Sequence, residues 1–166
     1  MILRAAIFAV SLSGALGAAQ FPAFSQQYLQ RLGGAVDALD QVVADFDASA
    51  AALGLTRDAA LAQMTGSAFL DARRADMQRT FERHAALSAD LVVLSGHGPF
   101  MRAYHAARLT DADVARGAWS AFRPSLPLTP ATALFALAGF LASWAGLRLA
   151  LMLLPGWSRR PVQTSA

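Results

Sequence analysis

The stretch PSLPLTPATALFALAGFLASWAGL, Pro124 to Leu147, holds no charged residue and is built mostly from Ala, Leu, Phe and Gly. Thr129 can cap a helix there, and Pro130 suits its first turn, where a missing N–H loses no partner. The apolar run continues to Leu154 and meets Pro155-Gly156, which stops a helix. A helix rising about 1.5 Å per residue crosses a hydrocarbon core of roughly 30 Å in about 20 residues. This run is long enough, and it predicts a C-terminal transmembrane helix over residues 128–155. The rest of the chain is therefore read against a membrane.

Composition agrees. The chain has 166 residues and is 55% hydrophobic, where soluble domains average about 45–50% even with Gly counted. Its mean hydropathy is +0.39. It has no cysteine, which removes disulfides, thiolate nucleophiles and cysteine metal sites. It has no lysine either. All 14 basic residues are Arg, and Glu82 is the one Glu among 11 acids. With this much Ala, that pattern fits a GC-rich coding bias. A pI near 10.5 would ordinarily point to nucleic acid, but the charges are placed otherwise. Residues 21–123 hold ten arginines and eleven acids, a net of −1; Arg4, Arg148, Arg159 and Arg160 bring the total to +3. The excess lies beside apolar stretches, where it sets topology.

Met1 to Ala19 is a second apolar stretch. Two readings stand. One is a signal peptide, with Met1–Arg4 at its head and Gly17-Ala18-Ala19 as a small-residue exit. The other is an uncleaved membrane helix over residues 1–24. The second is favoured, because apolar character runs on through Phe21, Pro22, Ala23 and Phe24, and no charge follows Arg4 until Arg31. Pro22 is expected to kink the chain at the interface. The arginines outside the two spans predict both termini in the cytoplasm and residues 25–125 outside it, in the periplasm of a bacterial inner membrane. Trp119 and Trp157 then fall near opposite interfaces. Residues 156–166 are a short cytoplasmic tail.

Residues 25–54 read as one long helix. Tyr28, Leu32, Ala35, Leu39, Val42, Phe46, Ser49 and Leu53 repeat at spacings of 4 and 3, a coiled-coil-like seam. Gly33-Gly34 interrupts it, so either another backbone packs closely there or the helix bends. Gly54 ends it. Thr56 caps a second helix, residues 57–95, which Gly66 can divide. Its apolar stripe is Leu61, Met64, Ala68, Leu70, Met77, Phe81, His84, Leu87, Leu91 and Leu94, and its polar face carries Asp71/Arg74 and Asp76/Arg79 at i, i+3. The two helices are expected to form an antiparallel hairpin, seam to seam. A short helix over Phe100–Arg108 follows, then one capped by Thr110 and ending near Phe122. Arg123-Pro124-Ser125-Leu126-Pro127 is a stiff link to the last span. No alternating strand pattern occurs, and the predicted fold is all-α.

Little here carries chemistry. Ser95-Gly96-His97-Gly98 places a hydroxyl and an imidazole in a loop, but Ser and His two residues apart rarely meet, and the Gly-x-Ser-x-Gly elbow is absent. His84, His97 and His105 lack the i, i+4 spacing of a helical zinc motif, and His84 lies on the apolar stripe, as a core histidine would. Glu82, flanked by Arg79 and Arg83, reads as part of a solvated ion-pair face. Arg73, Arg74, Arg79 and Arg83 are largely cancelled by Asp71, Asp76 and Glu82, so no nucleic-acid partner is expected. Arg148 reads as snorkelling from the end of the second span. No phosphate loop or dinucleotide fingerprint occurs. The chain is expected to be no enzyme and to carry no catalytic residue, cofactor or metal.

Two stretches are familiar together. They are Phe21 to Gly34 (FPAFSQQYLQRLGG) with Asp37 just after, and Trp119 to Thr129 (WSAFRPSLPLT). The chain resembles the bacterial DUF2937 family of small membrane proteins of unknown function. The resemblance covers nearly the whole chain, implies an inner-membrane protein and supplies no catalytic residues. Ala38 follows Asp37 where family members often carry Glu, which weakens a role for that acid. The expectation is a structural or interaction protein. Its partners are the lipid bilayer and a protein, or a second copy, bound through helices 25–54 and 57–95. A periplasmic input module of a sensory complex is the alternative, and a hydrolase using His97 with Ser95 or Glu82 ranks last.

Overall fold

A computed structural model describes residues 2–109, 111–124 and 129–153. Helices and their connecting turns account for all of these residues, and there is no strand among them. The contacts divide the chain into two units: the described parts of 1–23 and 123–166, and Phe24–Phe122.

The first unit pairs α1 (Ile2–Ala19) with α7 (Pro130–Leu153). Thr129 caps α7 by accepting from the Thr132 N–H at 3.1 Å. Ile7, Ser11, Ala15 and Ala19 make a buried i, i+4 row on α1. The helices touch through small residues. A Cβ on Gly139 would come within 2.5 Å of the Gly14 carbonyl and of the Ala18 Cβ, and one on Gly14 would strike Ser143. Such close backbone approach brings the two helices into tight van der Waals contact. The buried Ser11 hydroxyl donates to the Ile7 carbonyl at 2.8 Å. Phe8 lies edge-on to Phe140 and Phe21 stacks on Phe135. Arg148 lies over the Trp144 ring at 4.7 Å, one turn back along α7. Helical side chains lean toward the N-terminus, and Arg148 folds back in that direction. Pro155-Gly156, Trp157, Arg159, Arg160 and the tail lie outside the described residues, as does Ser125-Leu126-Pro127 of the link.

The second unit holds most of α2 (Phe21–Ala52) with α3 (Arg57–Gln63), α4 (Ala68–Ser95), α5 (Pro99–Tyr104), a 3-10 turn (Ala106–Arg108) and α6 (Ala112–Ala121). The helix break falls at Gln20, ahead of Pro22. Pro22 therefore sits in the first turn of α2, the one place where a helix loses nothing to its missing N–H. Gly54 (φ +71°) closes α2. Gly66 (φ +98°) does divide the second helix, and Ser67 caps α4 by accepting from the Leu70 N–H at 3.2 Å. Thr56 caps α3 as expected, accepting from the Ala59 N–H at 3.3 Å. Thr110 lies outside the described residues. The cap of α6 is Asp111, whose Oδ1 accepts from the N–H groups of Asp113 and Val114.

The core joins three helices: Tyr28, Leu32 and Val36 of α2, Leu87 and Leu94 of α4, and Val114 and Ala118 of α6. Asp40 meets His84 and Phe46 meets Phe81, so residue numbers rise along α2 as they fall along α4. The stripe on α2 differs from the expected seam. Val43 and Ala50 are buried in place of Val42 and Ser49, and Leu53 is 75% exposed. A straight helix drifts by about 20° per heptad from a 3.5-residue repeat. That drift is small beside the angle of about 100° between neighbouring residues, and the offset is already present at Val36, buried beside the half-buried Ala35. On α4 the stripe holds at Met77, Leu87 and Leu94, while Ala68 and Leu70 are exposed. The expected Asp71–Arg74 and Asp76–Arg79 pairs both form.

Candidate functional site

The sequence candidates for chemistry scatter. The Ser95 hydroxyl donates to the Val92 carbonyl, and His97 Nδ1 lies 2.5 Å from the Val93 carbonyl. No hydrogen bond joins the two side chains. His97 packs against His105, and His105 against Tyr104. Glu82 is exposed and has no ion pair among the described residues, because Arg79 takes Asp76 and Arg83 takes Asp111 and Asp113. The ion-pair face expected around Glu82 therefore leaves Glu82 out.

His84 keeps better company. Asp40 Oδ1 lies 2.5 Å from its Nε2, and Ser88 Oγ lies 3.3 Å from the same nitrogen. A nucleophile triad needs acid and hydroxyl on opposite ring nitrogens, so that the base can be oriented from one side and take a proton on the other. Here both compete for one nitrogen. The trio works as a tie between α2 and α4. His84 is half-buried and carboxylate-paired, where the sequence suggested a core histidine. No group of three or more His, Asp or Glu among the described residues could hold a metal ion.

What the fold does build is a cleft of about 440 Å³, lined by Gln30, Arg31, Gly34, Ala35, Arg83, Asp113 and Val114. Arg31, Gly34 and Ala35 share one face of α2 through i, i+3 and i+4 spacing. Gly34 leaves the floor as bare helix. A Cβ there, or on Gly33, would meet nothing within 4 Å. Among the described residues no backbone packs closely on Gly33-Gly34, and α2 stays helical through both. Arg83 reaches from α4 to Asp111 Oδ1 and Asp113 Oδ2, each at 3.2 Å, and Arg116 also holds Asp113. Arg31 lies along Gly117 of α6, where a Cβ would come within 2.5 Å of its Nε. Arg31 is exposed and has no carboxylate partner among the described residues. The cleft thus carries one uncompensated guanidinium. Sequence reasoning missed it, since it needs α2, α4 and α6 side by side. The available cue was a glycine pair two residues after an arginine.

The two motif stretches also converge. Phe24 lies 6.0 Å from Trp119 and 5.8 Å from Phe122, while Arg31 of the first stretch lies along Gly117, just before the second.

The class so defined is an all-helical protein with two helical stretches, one starting at Leu3 and the other Pro130–Leu153, long and apolar enough to cross a membrane. The profile of a family described as "protein of unknown function (DUF2937)" matches residues 2–160, and the chain belongs to that family. No curated protein and no solved structure matches it.

Proposed function

We propose that this is an integral protein of the bacterial inner membrane whose residues 25–125 form a periplasmic helical module that binds a protein partner. Residues 1–24 and 128–155 are its spans, both chain ends face the cytoplasm, and residues 156–166 are the tail. The protein carries out no reaction of its own. The observation that supports this reading is the cleft on α2. Its glycine floor costs helix stability, about 1 kcal/mol per Gly against Ala, and no described residue fills the space that cost opens. Arg31, without a carboxylate partner among the described residues, suits an acidic side chain on a helix or extended segment laid across Gly34.

Photocrosslinking tests this in intact cells. A photoreactive residue at Gln30, on the cleft wall, should give an adduct with another polypeptide, and one at Asp45, exposed elsewhere on α2, should not. Arg31→Glu should abolish the adduct. An adduct of twice the chain's mass would make the partner a second copy. Equal labelling at Gln30 and Asp45, unchanged by Arg31→Glu, would overturn the proposal.

A further inference from the structure

The chain enters the second unit at Phe24 and leaves it at Phe122. These two side chains touch, with ring centroids 5.8 Å apart, so one end of the unit carries both tethers to the spans. Trp119 packs against both phenylalanines and is still 70% exposed. Helix α5 belongs to the same end. Its Arg102 is buried, donating from Nε to the Leu94 carbonyl at 3.1 Å and from Nη1 to Gln26 Oε1 at 2.8 Å. Gln26 is two residues from Phe24. With its arginine turned inward, α5 leaves Met101 44% and Tyr104 79% exposed.

An apolar patch on a water-facing surface marks a contact. Trp and Tyr, amphipathic rings with one polar edge, are the side chains enriched where hydrocarbon gives way to headgroups. We infer that α5 and Trp119 are seated in the headgroup layer of the bilayer, with Met101, Tyr104 and Trp119 inserted among the lipids. The inference rests on the reading that α1 and α7 cross that bilayer. Lipid is the occupant because both tethers leave from this end, so the surface next to it is the one the spans enter. Short interfacial helices with an apolar face bind in this way.

Spin-label depth measurement tests it on the full chain, reconstituted in vesicles of phosphatidylcholine and phosphatidylglycerol. The absence of native cysteine allows single labels at Met101, Tyr104, Thr65 and Leu141. Labels at Met101 and Tyr104 should collide with oxygen several-fold more, relative to a water-soluble nickel chelate, than the label at exposed Thr65. If Met101 and Tyr104 match Thr65, the inference fails. Shielding of both from oxygen and chelate alike would mean that protein covers them, and would overturn it too. Leu141, on α7, separates this failure from the larger one. If Leu141 also reads as water, the membrane reading itself is wrong.

Discussion

Gly139 and Gly146 stand two turns apart on α7 and have opposite surroundings. A methyl group on Gly139 runs into the Gly14 backbone and Ala18, and one on Gly146 meets nothing within 4 Å. Gly139→Ala should therefore force α1 and α7 apart and cost about 1–3 kcal/mol, as overpacking does. Gly146→Ala should be neutral or slightly stabilising. Reversible unfolding of the full chain in detergent checks both, and equal effects would mean that the α1–α7 contact does not hold the pair. Gly34 makes a sharper case. Gly34→Ala fits the folded chain and should raise stability by about 1 kcal/mol while weakening the Gln30 crosslink. A mutant that is both less stable and still crosslinked would contradict the reading of the cleft. Thr129, Pro130, Thr56 and Gly54 were legible in the sequence because caps and stops depend on residues a few positions apart. The roles of Gly14 and Gly139 were not, although Ser11, Ala15 and Ala19, and Gly139 and Ser143, keep the i, i+4 spacing of small residues that pack spans together.

The elements of the second unit are held by a few polar ties around an apolar core. Arg57 closes the α2–α3 corner, donating from Nε and Nη2 to the two Asp47 carboxylate oxygens and lying over the Phe81 ring at 4.6 Å. The hydrogen bond from Arg57 holds the Asp47 carboxyl below its ordinary range. A depressed carboxylate contributes stability that is fully present above its unfolded-state value and is lost as pH falls through the folded one. Asp47→Asn should thus lower the melting temperature at neutral pH, and the difference from wild type should vanish in acid, below that range. A difference that persists unchanged in acid would contradict the account. Arg102 is the tie for α5. Arg102→Met should cost about 1.5–3 kcal/mol for the lost charged hydrogen bonds and free α5 to exchange amide hydrogens faster, while α6 keeps its protection. Equal loss of protection in α6 would mean that α5 is not separately pinned. The helices were legible as elements, since each has its own period and punctuation. Their registers were less so. The seam on α2 holds at Tyr28 and Leu32 and is offset by one residue at Val36, Val43 and Ala50, because which of two adjacent apolar residues is buried depends on the helices packed against α2.

At the scale of the molecule, the all-helical fold and the two apolar stretches followed from composition and run length, which need no tertiary information. The cleft did not, because Arg31, Arg83 and Asp113 are separated by some fifty and thirty residues and only packing unites them. The way the two motif stretches meet through Phe24, Trp119 and Phe122 was equally hidden, although the stretches themselves were visible. The central claim is that two spans hold residues 25–125 on the far side of the inner membrane. Single cysteines at Ala51, Gln78 and Ser165 test it most directly, with a membrane-impermeant maleimide applied to intact and then to permeabilised cells. The account expects Ala51 and Gln78 to label in intact cells and Ser165 only after permeabilisation. Labelling of Ser165 in intact cells, or protection of Ala51 and Gln78, would contradict it.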